Sequence, residues 1–225
     1  RSKFAIVCLE EHQHLFLCTE GNGLIYYNPA DKSYINFRTI EGNSNSLTND
    51  NIKSVYYDAD REELWLGLHL GGICCLNLHN RHFTQYPSIH PKWEQSDIVR
   101  AIVPYGEQLL VATYNGLFLF DKKNGQFKLF SPELHKKVSY LVDLKLDKEG
   151  NFWIASNGLY CYHPDKGELE SYSYQKGDST SVSNNNITKI LVDSRQRVWV
   201  ATNGGGVNLF QPKKKAFIRY NSHSS

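Results

Sequence analysis

The residues best suited to chemistry in this 225-residue chain are aromatic and polar side chains in glycine-containing turns and irregular loops. A sugar ring is bound by an aromatic face against its apolar side and by polar groups that hydrogen-bond its hydroxyls. The sequence offers two aromatic platforms, Trp93 and Tyr114, and four polar partners, His69, Asn115, Asn157 and Asn203. These six residues form a first candidate ligand-binding set.

Most of these residues also have an explanation that needs no ligand. Asparagine beside glycine is common in tight turns because it tolerates positive φ angles, and we favour this explanation for Asn115, Asn157 and Asn203. Trp93 follows Pro91 in a polar loop, outside the positions that recur along the chain. For Trp93, ligand contact and packing over the edge of a sheet are equally open.

A second candidate set consists of charged residues at one aligned strand position. Alignment of the first strand of each repeat places Ile6, Ser54, Arg100, Asp143 and Lys189 together. The charged members could bind a carboxylate or an acidic sugar, since arginine and lysine are common ligands for such groups. The alternative, which we favour, is that Arg100, Asp143 and Lys189 pair with one another across a water-filled channel.

An internal repeat of about 45 residues must position these side chains. Each copy has a large anchor residue, then an apolar residue, then a small residue and a turn that contains glycine. Four short strands are predicted per copy, which is typical of a β-propeller blade. The anchors, predicted to lie in the core between blades, are Phe16, Trp65, Leu110, Trp153 and Trp199.

The predicted fold is therefore an all-β propeller with about five four-stranded blades. The chain begins at Arg1, lacks methionine and stops within a segment that resembles the linkers between repeats. We therefore expect part of a larger propeller with about seven blades, and a closed five-bladed ring is the alternative. The approximate blades are residues 4–46, 47–94, 95–137, 138–182 and 183–225.

The phrase "SNSLTNDNIKSVYYDADREELWLGLHLGGI", echoed by "STSVSNNNITKILVDSRQRVWVATNGGGV", resembles the two-component regulator propeller repeat. The resemblance implies the periplasmic sensor region of a hybrid two-component system. Such a region would bind an oligosaccharide or related small ligand and signal to a downstream histidine kinase as a homodimer. It would meet the membrane only through segments outside this sequence.

Other function classes find less support in the sequence. The net charge of +2 without long charged runs does not indicate a nucleic-acid partner. No catalytic or metal-binding motif is present, so we expect no catalytic residue, metal or cofactor. The buried positions of Cys18, Cys75 and Cys161 in the repeat indicate core packing, with a Cys8–Cys18 disulfide as a lesser possibility. A lyase resembling streptogramin lyase and a protein-interaction scaffold are the alternative functions.

Overall fold

A computed structural model of the chain describes residues 8–11, 14–87, 89–90 and 97–221. The chain divides into two compact units, unit 1 within residues 1–131 and unit 2 within residues 132–225. The described residues form five four-stranded antiparallel sheets, and in each sheet consecutive strands pair in sequence order. The predicted all-β architecture of four-stranded blades is confirmed.

Unit 1 contains three sheets, which we call blades 1 to 3. Blade 1 comprises β1 (Cys8–Glu11), β2 (His14–Cys18), β3 (Leu24–Tyr27) and β4 (Tyr34–Phe37). Blade 2 comprises β5 (Ile52–Asp58), β6 (Glu63–Leu68), β7 (Ile73–Asn77) and β8 (His82–Tyr86). Blade 3 comprises β9 (Val99–Tyr105), β10 (Gln108–Thr113), β11 (Gly116–Asp121) and β12 (Gln126–Leu129).

Unit 2 contains a short helix and two sheets, blades 4 and 5. The helix is α1 (Pro132–Lys137). Blade 4 comprises β13 (Asp143–Leu146), β14 (Phe152–Ser156), β15 (Gly158–His163) and β16 (Glu168–Tyr172). Blade 5 comprises β17 (Ile187–Val192), β18 (Val198–Thr202), β19 (Gly206–Gln211) and β20 (Ala216–Tyr220).

Helix α1 lies in a segment that the sequence indicated to be an irregular loop. Pro132 occupies its first position, where the missing amide proton costs nothing. Glu133 pairs with Lys136 at 2.9 Å one turn later, and Leu134 is buried. The helix spans only six residues, which is too short for helical periodicity to be recognised in a sequence.

The anchor residues form the core between blades, with one exception. Trp65 and Trp153 are 2% and 5% exposed, and Phe16 and Leu110 are also buried, as predicted. Trp199 is only half-buried, because its cross-strand neighbour Leu191 belongs to a face that is largely exposed. The core position of Trp199, in the last of the five sheets, therefore stays a prediction.

The glycine after the anchor strand has a steric cause. Gly72 has φ +65°, and a Cβ atom there would overlap the backbone carbonyl oxygen of Tyr86 at the end of the fourth strand. Gly206 has φ +76° and would meet Tyr220 in the same way. The fourth strand thus closes onto the turn, which explains why glycine recurs there.

The cysteines of the repeat are packing residues. Cys18, Cys75 and Cys161 are buried, and Cys75 and Cys161 are free thiols. In the register of β1 and β2, Cys8 lies opposite Leu17 rather than Cys18. Cys8 and Cys18 are therefore not paired positions in the backbone register of this hairpin.

Candidate functional site

The turns after the second strands and the segments that enter the first strands meet at one end of the sheets in each unit. In unit 1, the carbonyl oxygen of Asp97, just before β9, accepts hydrogen bonds from the amides of Gly71 (3.3 Å) and Gly72 (3.2 Å). In unit 2, the carbonyl oxygen of Asn185 accepts one from the amide of Gly158 at 2.9 Å. We call this end of the sheets the loop face of each unit, and the candidate ligand residues lie on or near it.

Arg100 and Tyr114 are in contact on the loop face of unit 1. The guanidinium carbon of Arg100 lies 5.7 Å from the centre of the Tyr114 ring, within the range of a cation–π interaction. The backbone of Tyr114 is held by a hydrogen bond from its amide to the carbonyl of Ile98 at 3.1 Å. The buried Nε atom of Arg100 has no hydrogen-bond partner among the described residues. The pair therefore offers a half-buried aromatic ring beside a cation with hydrogen-bonding capacity to spare.

The alignment that grouped Arg100 with Ser54 and Lys189 is wrong by one position. Ser54 lies opposite Gly67, and Lys189 lies opposite Ala201, but the residue opposite the equivalent Ala112 is Ala101. The register shifts near the start of the first strand in blades 2, 3 and 5, and Arg100 lies at this shift. Arg100 is the extra residue of this bulge, as Lys53 and Thr188 are in blades 2 and 5. The offset arises in the first hairpin, because only residues 106 and 107 separate the paired Tyr105 and Gln108 of blade 3, whereas the matching hairpins of blades 2 and 5 are longer.

His69 is fixed in the neighbouring turn of blade 2. Its amide donates a hydrogen bond to the carbonyl of Asn51 at 2.9 Å. Its Nδ1 atom is buried and has no partner among the described residues, and the same is true of Asn51 Oδ1 and Ser54 Oγ. These atoms supply donors and acceptors of the kind that sugar hydroxyls need. Asn51 and Ser54 were not predicted as site residues.

The three candidate asparagines differ in exposure. Asn115 is half-buried, and its amide bonds Thr113 Oγ1 at 3.1 Å, whereas Asn157 and Asn203 are exposed. None of the three has a positive φ angle; the positive angles belong to nearby glycines such as Gly158 (φ +110°). The proposed reason for asparagine in these turns is therefore wrong, although the turns themselves are present.

Asp143 and Lys189 approach each other in unit 2. Lys189 Nζ lies 3.7 Å from Asp143 Oδ1, with Lys189 64% exposed and Asp143 1% exposed. Asp143 also accepts hydrogen bonds from the amides of Ile190 (2.9 Å) and Leu144 (3.1 Å). Asp143 thus fastens β13 to β17, and its oxygens are already engaged. Lys189 is the more accessible of the two charges.

Trp93 lies outside the described residues, so the structure adds nothing to its candidacy. In the parts of the chain that the structure covers, no group of three or more His, Cys, Asp and Glu side chains is arranged to hold a metal ion. No helix within those same parts is long and apolar enough to cross a membrane.

Asp50, which the sequence did not single out, organises the loop face of unit 1. Its carboxylate accepts hydrogen bonds from the Thr39 amide (2.6 Å) and from the Arg38 guanidinium (2.7 Å). Burial opposes ionisation, but these hydrogen bonds and the Arg38 charge hold the pKa of Asp50 below its usual value. The recurring Asn-x-Asn pattern around Asp50 and Asn185 could have indicated this role.

Residues 181–204, which enter blade 5 and form its first two strands, match the family model described as two component regulator propeller. The match falls on the second of the two phrases that carried the resemblance, so the predicted relation to this repeat family is confirmed. The histidine kinase P4 of Formosa agariphila is 24% identical over 191 residues, or 81% of this chain.

Two solved extracellular domains of B. thetaiotaomicron, each assigned to a hybrid two-component system, have a similar fold. Their TM-scores are 0.78 and 0.74, at 18% and 23% identity, and the matches cover 94% and 96% of this chain. This chain spans 29% and 27% of those two chains and 14% of the Formosa kinase.

Proposed function

We propose that this chain, which carries a two-component regulator propeller repeat, is a ligand-sensing segment of a periplasmic sensor that signals to a histidine kinase. The family match at residues 181–204 supports this proposal, as do the similarities to a histidine kinase and to extracellular domains of hybrid two-component systems. The role is that of a binding module and not of an enzyme.

The proposed ligand is an acidic oligosaccharide bound at the loop face of unit 1. The observation that carries this assignment is the contact of Arg100 with Tyr114 on the loop face, where the neighbouring blade contributes the buried polar atoms of His69 and Ser54. The guanidinium would bind the carboxylate of a uronic acid, and the aromatic ring would lie against a sugar ring. The imidazole and hydroxyl groups would bind sugar hydroxyls.

Signalling requires that the ligand bind one conformation of the sensor more tightly than another. We propose that two copies of the full-length sensor form a homodimer and that ligand binding changes how they pack. The ligand would then shift the population of the dimer state that activates the kinase.

The test is a thermal-shift titration of the chain with neutral and acidic oligosaccharides, with Arg100→Met as the test variant. Acidic oligosaccharides should raise the melting temperature, because a ligand at a hundredfold excess over its Kd stabilises the folded state by about 2.7 kcal/mol. Arg100→Met should abolish the shift that acidic sugars cause. Tyr114→Ala should weaken binding of neutral and acidic sugars alike.

Arg197→Met is the matched control, because Arg197 stacks on Trp199 at 5.1 Å in a contact of the same type away from the loop face. Acidic sugars should stabilise this variant as they stabilise the unaltered chain. The proposal fails if no sugar shifts the transition, or if both arginine variants lose the shift equally. Trp93→Ala in the same assay tests the aromatic candidate in the loop that the structure does not describe. Turnover of a substrate that depends on a bound metal would instead favour the enzyme, the lyase-like alternative.

A further inference from the structure

Two clefts between adjacent blades, one in each unit, are lined by the same three kinds of aromatic ring, and each cleft extends to an aspartate at the strand ends opposite the loop face. In both, the tryptophan and tyrosine rings are stacked at 22°, with centroids 6.1 Å apart in unit 1 and 6.3 Å apart in unit 2. The phenylalanine ring meets the tryptophan edge-on, at 5.4 and 5.0 Å. The rings are Trp65, Tyr86 and Phe120 in unit 1 and Trp153, Tyr172 and Phe210 in unit 2.

The cleft in unit 1 is closed by a lysine side chain of the protein itself. Lys122 lies two residues beyond Phe120, and its Nζ atom is 2.9 Å from Asp58 Oδ2. The two side chains are only 8% and 10% exposed. A buried ammonium group on a four-carbon stem therefore neutralises the carboxylate at this position.

The equivalent cleft in unit 2 is open. The residue two positions beyond Phe210 is Pro212, so no lysine side chain can enter from there. A cavity of about 390 Å³ remains, and Asp147, Trp153, Cys161 and His163 are among its lining residues. Asp147 occupies the place of Asp58, since each lies two residues beyond the residue that pairs with the tryptophan.

Within the described residues, Asp147 has only neutral hydrogen-bond donors at its carboxylate. Its oxygens accept hydrogen bonds from the Trp153 indole (3.0 Å), from the side-chain amide (3.0 Å) and backbone amide (2.9 Å) of Asn151, and from the backbone amide of Glu149 (3.0 Å), all of which are neutral donors. An ammonium group there would add its charge to a carboxylate that is held in place by these four bonds. Among the described residues, no lysine, arginine or histidine forms an ion pair with Asp147. The aspartate of the open cleft therefore differs from Asp58 in lacking an ammonium partner.

The charged residues at the rim of the open cleft compensate each other. Lys215 Nζ lies 2.7 Å from Glu170 Oε1, and Glu170 occupies the position that Thr84 has in blade 2. The Tyr172 hydroxyl donates a hydrogen bond to the other Glu170 oxygen. Lys215 adopts φ +49°, a conformation that is unusual for a residue with a side chain, where blade 3 has Gly125. The Lys215 ammonium therefore forms its ion pair with Glu170 and not with Asp147.

The cleft also contains a thiol and an imidazole, but they do not form a nucleophilic pair. Cys161 Sγ lies 3.8 Å from His163 Nε2, and His163 Nδ1 is 2.6 Å from Asn151 Oδ1. Burial is the main cause that raises the pKa of Cys161 to about 12, so the sulfur stays a thiol. The chemistry of this cleft is therefore recognition and not covalent catalysis.

We propose that the cleft between blades 4 and 5 binds a small primary alkylammonium ligand, with its ammonium group at Asp147 and its aliphatic stem against the aromatic rings. The model for this ligand is the protein's own Lys122 in the matched cleft of unit 1. Cations are also attracted to the faces of tryptophan and tyrosine rings, which adds to the attraction of the carboxylate. The site is separate from the loop face and independent of the oligosaccharide proposed there.

The test uses n-butylammonium, which has the stem and charge of a lysine side chain, and follows the tryptophan indole N–H signals of the chain by NMR. The Trp153 indole donates to Asp147 and should shift saturably, whereas the Trp65 indole donates to Glu63 and should not move. n-Butanol, a neutral molecule of similar size, should cause no shift. Nα-acetyl-lysine amide, which keeps the side-chain ammonium, is titrated separately to represent a lysine within a peptide. It should bind more weakly than n-butylammonium.

Two variants complete the test. Pro212→Lys, at an exposed turn, should place a tethered ammonium in the cleft and weaken n-butylammonium binding by about tenfold or more. Lys122→Ala should open the matched cleft, so that n-butylammonium raises the melting temperature of this variant more than that of the unaltered chain. The proposal is overturned if the Trp153 signal does not respond, if n-butanol shifts it equally, or if Pro212→Lys binds as before. The result for Pro212→Lys decides the matter even if Lys122→Ala fails to fold.

Discussion

The segments that enter blade 2 and blade 5 use the same serine to close the same turn. The Ser46 hydroxyl donates to the carbonyl of Asn43 at 2.9 Å, and the Ser181 hydroxyl donates to the carbonyl of Asp178 at 3.0 Å. Both serines are almost fully buried. Because a buried hydroxyl needs a hydrogen-bond partner, the serine favours the turn whose carbonyl accepts its hydrogen bond. The turn likewise favours serine at this position.

Asparagines continue the likeness, and one position breaks it. Asn49 and Asn184 each accept a hydrogen bond at 2.8 Å from the amide two residues later. The residue after this asparagine is Asp50 in one segment and Asn185 in the other. The side-chain oxygen of each accepts a hydrogen bond at 2.6 Å from a backbone amide that follows the preceding blade, that of Thr39 or Tyr174. Only Asp50 adds an ion pair, with Arg38. The hydrogen bond to the preceding segment therefore requires a side-chain oxygen at this position but does not require a charge.

The largest difference between the two segments is expected at the apolar residue after the serine. Leu47 and Val182 are both buried, at 1% and 0% exposure. Leu47→Ala should lower the free energy of unfolding by about 2–5 kcal/mol, and Val182→Ala should cost less because it removes fewer buried atoms. Urea denaturation of both variants measures this. An equal or reversed order would show that the two segments are not packed alike.

The serine substitutions should lower the free energy of unfolding in both segments, and more so at Ser181. Ser46→Ala and Ser181→Ala should each cost about 1–3 kcal/mol, since each leaves buried polar groups of the turn without a partner. Ser181→Ala should be the more costly, because the Arg219 guanidinium also donates to this hydroxyl at 2.8 Å. Denaturation curves of the two variants provide the measurement. A negligible loss in either variant would refute the shared role.

The hydrogen bond at position 50 should lose stability in acid, because its acceptor is a carboxylate. The matching hydrogen bond at Asn185 in unit 2 should not depend on pH in this way. Asp50→Asn should cost about 0.2–1 kcal/mol at neutral pH, since the partner Arg38 is half exposed. The folded-state pKa of Asp50 lies below the unfolded value of about 3.9, so the stabilisation is complete above that pH and is lost as the pH falls below it. Unfolding measured at neutral and acidic pH should show the variant and the original chain converging in acid. A constant difference would contradict this origin.

The smallest effect is expected when the ion pair is transferred to unit 2. Ser173 follows Tyr172 as Arg38 follows Phe37, so Ser173→Arg with Asn185→Asp recreates the pair. A double-mutant cycle on these two positions should give a coupling energy of about 0.2–1 kcal/mol in the favourable direction. No coupling would mean that the backbones of the two segments differ more than their shared hydrogen bonds suggest.

The blade architecture could be predicted because its signals are local and repeated. The spacing of anchors such as Trp65 and Trp153, the small residue that follows and the turn glycine recur in every copy. At Gly67, for example, a side chain would overlap Ser54 and Val99 of the adjoining strands, so only the smallest residue fits. Such steric demands are visible in a sequence as a pattern.

The candidate site could be predicted only in part. Tyr114 and His69 were named as candidates from their turns, but Arg100 was assigned to the wrong register because the first hairpin of blade 3, which closes between Tyr105 and Gln108, is shorter than those of blades 2 and 5. The open cleft escaped prediction for another reason. It depends on Pro212 occupying the place of Lys122, and this equivalence has meaning only once the pairing of the strands is known.

The hydrogen bonds from Gly21 and Gly23 to the carbonyl of Asp50 have a consequence for synthesis on the ribosome. Blade 1 is not complete when its own fourth strand has emerged, because the amides of its turn find their acceptor only in the segment that follows. The same holds for Gly158 and Asn185 in blade 4. The turn of each blade would therefore gain its last hydrogen bonds only when the next repeat has been synthesised. Folding of a nascent chain would then follow synthesis with a delay of one blade.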